Sequence, residues 1–169
     1  MTLGPLHHII EKYLLLLYNF KEKFTRNFDI LYTIWGGIVM ESKSMFQAIH
    51  HVAIIASDYE KSRHFYVDLL GFEVIRENYR ENRGDYKLDL KLGDCELEIF
   101  GIPNSPARPN YPEACGLRHL AFCVDCIEET IEKLNAMGIE TEPVRWDDYT
   151  HKKMTFFKDP DGLPLELHE

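Results

Sequence analysis

An internal repeat is the feature of this 169-residue sequence that most limits how the chain can fold. His51 begins the run His-Val-Ala-Ile and His119 begins the similar run His-Leu-Ala-Phe, an offset of 119 − 51 = 68 residues. Glu98 lies in Leu-Glu-Ile and Glu166 in Leu-Glu-Leu, and 166 − 98 is again 68. A repeat at one fixed offset predicts two copies of a single structural unit.

Hydrophobic patterning predicts the same order of elements in each half, namely a strand, a helix and three strands. For the first half the predicted elements are a strand over 48–56, a helix from Ser57 to the capping Gly71, and strands over 72–76, 86–92 and 95–100. For the second half they are a strand over 117–125, a helix over 127–137, and strands over 139–144, 153–157 and 163–168. The predicted fold class is α+β, with two βαβββ modules that pair into a curled mixed sheet.

The domain organisation follows from these elements. Module 1 is expected over 46–102 and module 2 over 117–169, and together they form one domain over 46–169. The segment 103–116 contains four prolines and is predicted to be an irregular linker, because proline lacks a backbone donor and fixes its own φ.

Residues 1–44 differ in character from the rest of the chain. They contain two very apolar runs, 9–18 and 28–40, and neither reaches the length of a membrane span. One interpretation is an added helix or arm that packs on the domain or on a partner subunit. The other, which we favour, is that the native start lies later, at Met40 or Met45, so that this extension has no function of its own.

The net charge of −9 argues against nucleic acid or an anionic membrane as the main partner, since both require basic patches. Four cysteines occur without a recognisable secretory signal, so reduced thiols in the cytoplasm are expected. Cys123 and Cys126 have C-x-x-C spacing, but no second pair follows. We interpret this pair as incidental rather than as a redox or zinc motif.

The repeated residues themselves suggest a metal site. If the two modules pair around a shared cleft, His51, Glu98, His119 and Glu166 supply two imidazoles and two carboxylates to one point. This donor set suits one divalent ion per site, namely Ni²⁺, Zn²⁺, Co²⁺, Mn²⁺ or Fe²⁺, and an octahedral ion would keep two positions open for substrate.

Other interpretations of the same residues stay open. Either histidine could be a core residue, Glu98 and Glu166 could lie on solvated faces, and His50 and His168 are rival ligands. Only the alignment of the two halves favours His51 over His50.

The repeat, the His/Glu/His/Glu set and the ending Asp-Pro-Asp-Gly-Leu-Pro-Leu-Glu-Leu over 159–167 resemble the vicinal oxygen chelate (VOC) superfamily. The segment 112–122 is similar to bacterial proteins of the glyoxalase I (lactoylglutathione lyase) type. The resemblance covers about residues 46–169 and implies that the metal ligands of glyoxalase I fall on the four repeated residues. It also implies that Glu166 is the catalytic base, in a proton transfer through a metal-bound enediolate on an α-hydroxycarbonyl-type substrate.

The sequence departs from glyoxalase I at two positions. Ile55 and Ile102 stand where that enzyme has an arginine and an asparagine that help to hold glutathione, which puts glutathione in doubt as the thiol partner. The expected partners are therefore a small-molecule substrate and a second copy of the chain, in a homodimer with sites at its interface. No substrate-binding residue is identified.

Three alternative functions share this fold. An epimerase of the methylmalonyl-CoA type would use the same proton chemistry next to a thioester. An iron dioxygenase would use two histidines and one carboxylate, so the fourth ligand, Glu98, counts against it. A small-molecule (drug) binding module would need no metal, and the intact set of four residues counts against that interpretation.

Overall fold

The computed structural model describes residues 44–169, and the two apolar runs predicted over 9–18 and 28–40 lie outside the described residues. Within the described part, Gln47–Glu169 forms one unit. Its backbone follows the repeat, with a strand, a helix and three strands in each half.

The first half forms a four-stranded mixed sheet in the order β1-β4-β3-β2. Strand β1 pairs in parallel with β4, whereas β3 pairs antiparallel with both β4 and β2. Its strands are β1 (His51–Ala56), β2 (Val74–Arg80), β3 (Asp85–Leu92) and β4 (Cys95–Gly101).

The helix of the first half begins where the acidic cap predicts. Asp58 is its N-cap, and the Asp58 side chain accepts a hydrogen bond from the backbone N–H of Lys61 at 3.2 Å. Helix α1 (Tyr59–Arg63) continues directly as a π-helical segment, His64–Leu69, in which the N–H of Leu70 donates to Phe65 O. The segment stops at Gly71, whose φ of +75° favours glycine.

The second half repeats this arrangement with the sheet order β5-β8-β7-β6, and β5 again pairs in parallel with β8. Its helix α2 spans Ile127–Ala136 and buries Ile127 and Leu134. Its strands are β5 (Leu120–Cys123), β6 (Arg145–Trp146), β7 (Lys153–Lys158) and β8 (Pro164–His168).

Two predicted boundaries in the second half were wrong. The strand predicted over 139–144 is absent, and only the short β6 follows it; Glu142 donates a backbone hydrogen bond to Phe156 O at 2.7 Å. Pro143 lacks a backbone N–H, so the ladder with β7 cannot continue through this segment. The first strand is also shorter than predicted, so His119 lies directly before β5 rather than within it.

Buried side chains of both halves form one hydrophobic cluster. The repeat extends into it, because Leu97 and Leu165 are both fully buried and differ by 165 − 97 = 68 positions. Each leucine precedes one of the two repeated glutamates, so burying the leucine turns the glutamate to the opposite face of its strand.

The Asp-Pro-Asp-Gly turn connects the two halves. The Tyr66 hydroxyl donates to Asp159 Oδ2 at 3.0 Å, and the N–H of Ser57 donates to Asp161 Oδ2 at 3.0 Å. Burial raises the pKa of Asp159 above its ordinary value, and hydrogen bonds from the Leu163 N–H and from Tyr66 oppose that rise. The turn is therefore a buried polar joint between the module 1 helix and module 2.

The fold class predicted from the sequence is confirmed, since two βαβββ modules build two four-stranded mixed sheets. Among the helices of residues 44–169, none has the length and apolar character needed to cross a membrane.

We expect Tyr66→Phe to lower the free energy of unfolding by about 1–3 kcal/mol near neutral pH, because it removes a buried hydrogen bond to a carboxylate. The Tyr66 hydroxyl favours the ionised form of Asp159, so its contribution is present above the pKa of Asp159 and is lost as the pH falls through it. Urea denaturation at several pH values measures this difference. The control is Tyr149→Phe, at a tyrosine that is 92% exposed and should show no change. An equal loss at all pH values would contradict the role assigned to Asp159.

Candidate functional site

Each sheet buries one face in the core and turns the other face outward. On β1, Ile54 and Ala56 are buried, whereas His51, Ala53 and Ile55 are exposed. Residues two apart on a strand share a face, so these three side chains line the outer face of the first sheet. The outer face is where the repeated histidine meets its glutamate.

The first half of the candidate site is a pair formed by His51 and Glu98. His51 Nε2 lies 3.8 Å from Glu98 Oε2, and the side chains are 43% and 13% exposed. The parallel pairing of β1 with β4 sets Glu98 opposite Ala53, two residues after the histidine. The imidazole and the carboxylate therefore point to the same side of the sheet.

The second half repeats this geometry with His119 and Glu166. His119 Nε2 lies 3.0 Å from Glu166 Oε2, and the side chains are 32% and 9% exposed. Glu166 is paired with Ala121, again two residues after the histidine. The interpretation of Glu166 as a solvated surface residue was wrong, because its carboxylate is largely buried.

The four predicted residues form two pairs rather than one cluster within the single chain. Among the described residues, no three of the four have ligand atoms within 4.8 Å of one another. Joining the two pairs at one ion therefore requires a second chain or a rearrangement of the modules.

The rival histidines have other contacts. His50 Nδ1 lies 3.0 Å from His51 Nδ1, so this contact leaves His51 Nε2 free to face Glu98. His168 Nδ1 donates to Glu169 O at 2.9 Å, and His168 Nε2 lies 3.4 Å from Thr150 Oγ1. In these interactions, neither His50 nor His168 contacts Glu98 or Glu166.

A charged network beside Glu98 was missed by the sequence reasoning. Lys87 Nζ donates to Glu98 Oε1 at 2.7 Å and to Asp89 Oδ1 at 2.6 Å. Arg76 donates to Asp89 Oδ2 and to Glu96 Oε2, both at 2.7 Å. Alternation of charged residues along β3 was the available signal, but it is typical of any exposed sheet face.

The network changes the ionisation of its members. Burial would raise the pKa of Asp89, but hydrogen bonds from Lys87 and Arg76 lower it below its ordinary value. Burial would lower the pKa of Lys87, but its bonds to Asp89 and Glu98 raise it. Both groups are therefore charged at neutral pH.

A second group of possible ligands lies at the start of α2, where Cys126, Glu128 and Glu169 approach within 4.8 Å. Lys153 Nζ already contacts Glu128 at 2.6 Å, and Glu169 Oε1 accepts from the N–H of Ile127 at 3.1 Å. This group is a helix cap with an ion pair. All four cysteines are free, as expected for reduced thiols.

Comparison with known proteins identifies the family. The model of the Glyoxalase/Bleomycin resistance protein/Dioxygenase superfamily matches residues 48–167. The chain belongs to this superfamily. The resemblance drawn from the repeat and from the Asp-Pro-Asp-Gly ending is thereby confirmed.

Two similar proteins match the domain at high identity. The Bacillus subtilis protein YwkD is 57% identical over 126 residues, which are 74% of this chain and 98% of that protein. The crystal structure of a glyoxalase family protein from Enterococcus faecalis is 68% identical, with a TM-score of 0.70, and the match covers 73% of this chain and 98% of that one.

More distant relatives carry names that describe an activity. A metallothiol transferase FosB of Staphylococcus saprophyticus is 33% identical over 73% of this chain and 78% of its own length. A probable lactoylglutathione lyase of Vibrio parahaemolyticus is 30% identical over 70% of this chain and 88% of its own length.

We expect Asp89→Asn to lower the free energy of unfolding by about 1–3 kcal/mol near neutral pH, because it weakens two charge-assisted hydrogen bonds of a buried carboxylate. Since the pKa of Asp89 is lowered in the folded state, its contribution is present above the unfolded-state pKa and is lost as the pH falls through the folded-state pKa.

Chemical denaturation at neutral and acidic pH tests this expectation. Glu73→Gln is the control, since the Glu73 side chain is 72% exposed and lies 3.7 Å from Lys91. A variant as stable as wild type at neutral pH would show that the network contributes nothing to folding.

Proposed function

We propose that this protein is a divalent-metal-dependent lyase or isomerase of the glyoxalase I type. Such an enzyme moves a proton from a hydroxyl-bearing carbon to the adjacent carbonyl carbon. The observation that carries the proposal is the pair of His–Glu contacts, His51 with Glu98 and His119 with Glu166, in the same strand register of both modules. Membership of the superfamily supports it, because the superfamily includes lactoylglutathione lyase-like relatives.

The residues present fit a divalent metal. Each half offers an imidazole Nε2 and a carboxylate Oε2 within 4 Å of each other, on the outer face of its sheet. Two imidazoles and two carboxylates are donors that Ni²⁺, Zn²⁺, Co²⁺, Mn²⁺ and Fe²⁺ accept. When bound, such an ion supplies Lewis-acid stabilisation of the negative charge that develops on the substrate oxygens.

Glu166 is the proposed proton carrier. Its carboxylate is 9% exposed and lies between His119 and the Phe156 strand, so bulk water has little access to it. In the proposed reaction it takes the proton from the hydroxyl-bearing carbon next to the carbonyl, which leaves an enediolate, and returns this proton to the former carbonyl carbon. The hydroxyl proton passes from the first oxygen to the second, so that the hydroxyl and the carbonyl exchange places. No proton is gained or lost overall.

The candidate site is proposed to form between two chains, with module 1 of one copy facing module 2 of the other. The separation of the two His–Glu pairs within one chain supports this arrangement. So does the exposure of apolar side chains on the outer face, such as Ile55, which is 57% exposed on the same face of β1 as His51.

A thiol transferase is the second candidate. The FosB relative is about as similar to this chain as the lactoylglutathione lyase relative, at 33% against 30% identity. The apolar Ile55 on the face of His51, and Ile102 just after β4, argue against a polar glutathione site in either reaction. A thiol or thioester other than glutathione would suit these positions better.

Metal analysis paired with turnover of the methylglyoxal–glutathione adduct tests the function. We expect about one metal per chain in wild type reconstituted with Ni²⁺ or Zn²⁺. Glu166→Gln should reduce turnover at least about 100-fold, because it removes the proton carrier. The control is Glu132→Gln on the exposed side of α2, which should leave turnover unchanged.

Each outcome has a distinct meaning. Metal with turnover establishes the glyoxalase reaction despite Ile55 and Ile102. Metal without turnover sends the substrate search to other thiols and to acyl thioesters, the substrates of the transferase and epimerase alternatives. A wild-type protein that takes up no metal would overturn the proposal and favour a small-molecule binding module.

Mixing two inactive variants tests the shared site. In a dimer formed from His51→Ala and Glu166→Gln chains, a site between chains leaves one site with both defects and one site intact. Random mixing should therefore restore about a quarter of the wild-type turnover. A site within one chain would restore none, and light scattering that shows a monomer with full metal content would also contradict a site shared between chains.

A further inference from the structure

The two halves of the candidate site are equivalent in histidine and glutamate but differ on the neighbouring strand. In the first sheet Asp89 pairs with Glu98, and in the second sheet Phe156 pairs with Glu166. Two pairs further along, on the same face of the sheet, Lys87 faces Phe100.

The second sheet has Met154 opposite His168 at the corresponding place, since 168 − 100 is 68. Lys87 and Asp89 therefore correspond to Met154 and Phe156. The charged pair of module 1 has become an apolar pair in module 2.

Lys87 is placed to fix one oxygen of Glu98. Its ammonium lies 2.7 Å from Glu98 Oε1, whereas Glu98 Oε2 faces His51 Nε2 at 3.8 Å. The Lys87 side chain is only 23% exposed, so water competes weakly for its hydrogen bonds. One carboxylate oxygen is thus held by the protein and the other is directed at the histidine.

Three carboxylates lie close together around Lys87, and a positive charge among them is needed to offset their mutual repulsion. Oxygens of Asp89, Glu96 and Glu98 come within 4.8 Å of one another, and like charges this close repel. Lys87 and Arg76 lie among these oxygens and supply two positive charges. These two cations balance two of the three negative charges and contact all three carboxylates, so we do not assign the group as a separate cation site.

Glu166 has different neighbours. Its strand partner is Phe156, whose ring centroid lies 5.4 Å from that of His119 in an edge-on arrangement. In the described part of the chain its charged contact is His119 alone. Among the described residues, no lysine fixes an oxygen of Glu166 as Lys87 fixes Glu98 Oε1.

We propose that Lys87 is a positioning residue that holds Glu98 Oε1 and keeps Glu98 Oε2 directed at His51, so that Glu98 binds the metal in one fixed orientation. Met154, at the equivalent place in module 2, gives Glu166 no such contact. The inference rests on the proposed function and separates the roles of two glutamates that the repeat makes look equivalent. Lys87 acts through Glu98 and touches neither substrate nor metal.

The test measures metal affinity rather than turnover. Purified chains free of metal are titrated with Co²⁺, and both the Kd and the visible absorption of the bound ion are recorded. Lys87→Met copies the residue found at the equivalent place in module 2, and it should weaken Co²⁺ binding about 10- to 100-fold, as loss of a group that orients a ligand does. The visible spectrum should change as well, because Glu98 is no longer held in one orientation.

Two variants control for folding and for charge. Lys91→Met removes a lysine from the same strand that is 57% exposed and lies near Glu73, so the Kd should not change. Lys87→Gln keeps N–H donors on a side chain of similar length, and it should weaken binding in the same direction but less. Thermal melting of each variant confirms that the loss is not a loss of fold.

A double-mutant cycle assigns the effect to Glu98. In a Glu98→Gln background, Lys87→Met should change the Kd less than about 3-fold, since the partner carboxylate is already gone. A full effect in that background would overturn the inference, because Lys87 would then act on something other than Glu98.

The remaining outcomes separate this inference from the proposed function. If wild type binds Co²⁺ and both folded Lys87 variants bind it with the same Kd and spectrum, the positioning role is wrong while the metal site stands. If wild type binds no Co²⁺, Ni²⁺ or Zn²⁺, the proposed function and this inference both fail.

Discussion

Parallel pairing between the first and last strands of each module is the constraint on which the candidate site depends. Because β1 lies beside β4 and β5 beside β8, residues about 47 positions apart in sequence become neighbours on one sheet face. In both modules the strand register places the glutamate opposite the alanine that follows the histidine by two residues. Hydrophobic burial then selects the face, since Leu97 and Leu165 are fully buried in the core and the adjacent glutamates must lie on the opposite faces of their strands. The alternation of side chains along these strands therefore determines both which leucines pack in the core and which face carries the glutamates.

Charge distinguishes two halves that the backbone makes similar. Module 1 places Lys87 and Asp89 beside its glutamate, whereas module 2 has Met154 and Phe156 at the corresponding places. A duplicated module gives two identical carboxylates at first, and their neighbours must differ before their roles can differ.

The polar joint at the Asp-Pro-Asp-Gly turn has a related role in the fold. Asp159 is a buried acceptor for Tyr66 and Asp161 is an acceptor for Ser57, so the turn that leads into β8 is tied to the helix of module 1. The strand that carries Glu166 therefore starts from an anchored point. A buried carboxyl is costly unless it is hydrogen-bonded, and here the cost is offset by the Tyr66 hydroxyl and by the N–H groups of Asp161 and Leu163.

The sequence by itself predicted the two βαβββ modules and a histidine and a glutamate at matching positions in each, because strand alternation and a repeat of 68 residues are properties of the linear order. It also selected His51 over His50 as a predicted ligand, and His51 Nε2 lies 3.8 Å from Glu98 Oε2. Tertiary structure decided the rest. The strand predicted over 139–144 is absent because the segment that contains Pro143 does not complete a hydrogen-bond ladder with β7. The contact of Lys87 with Glu98 and Asp89 depended on the register between β3 and β4, which joins residues whose spacing along the chain carries no signal. The separation of the two His–Glu pairs depended on how the modules pack, and packing is set by contacts between distant segments rather than by local pattern.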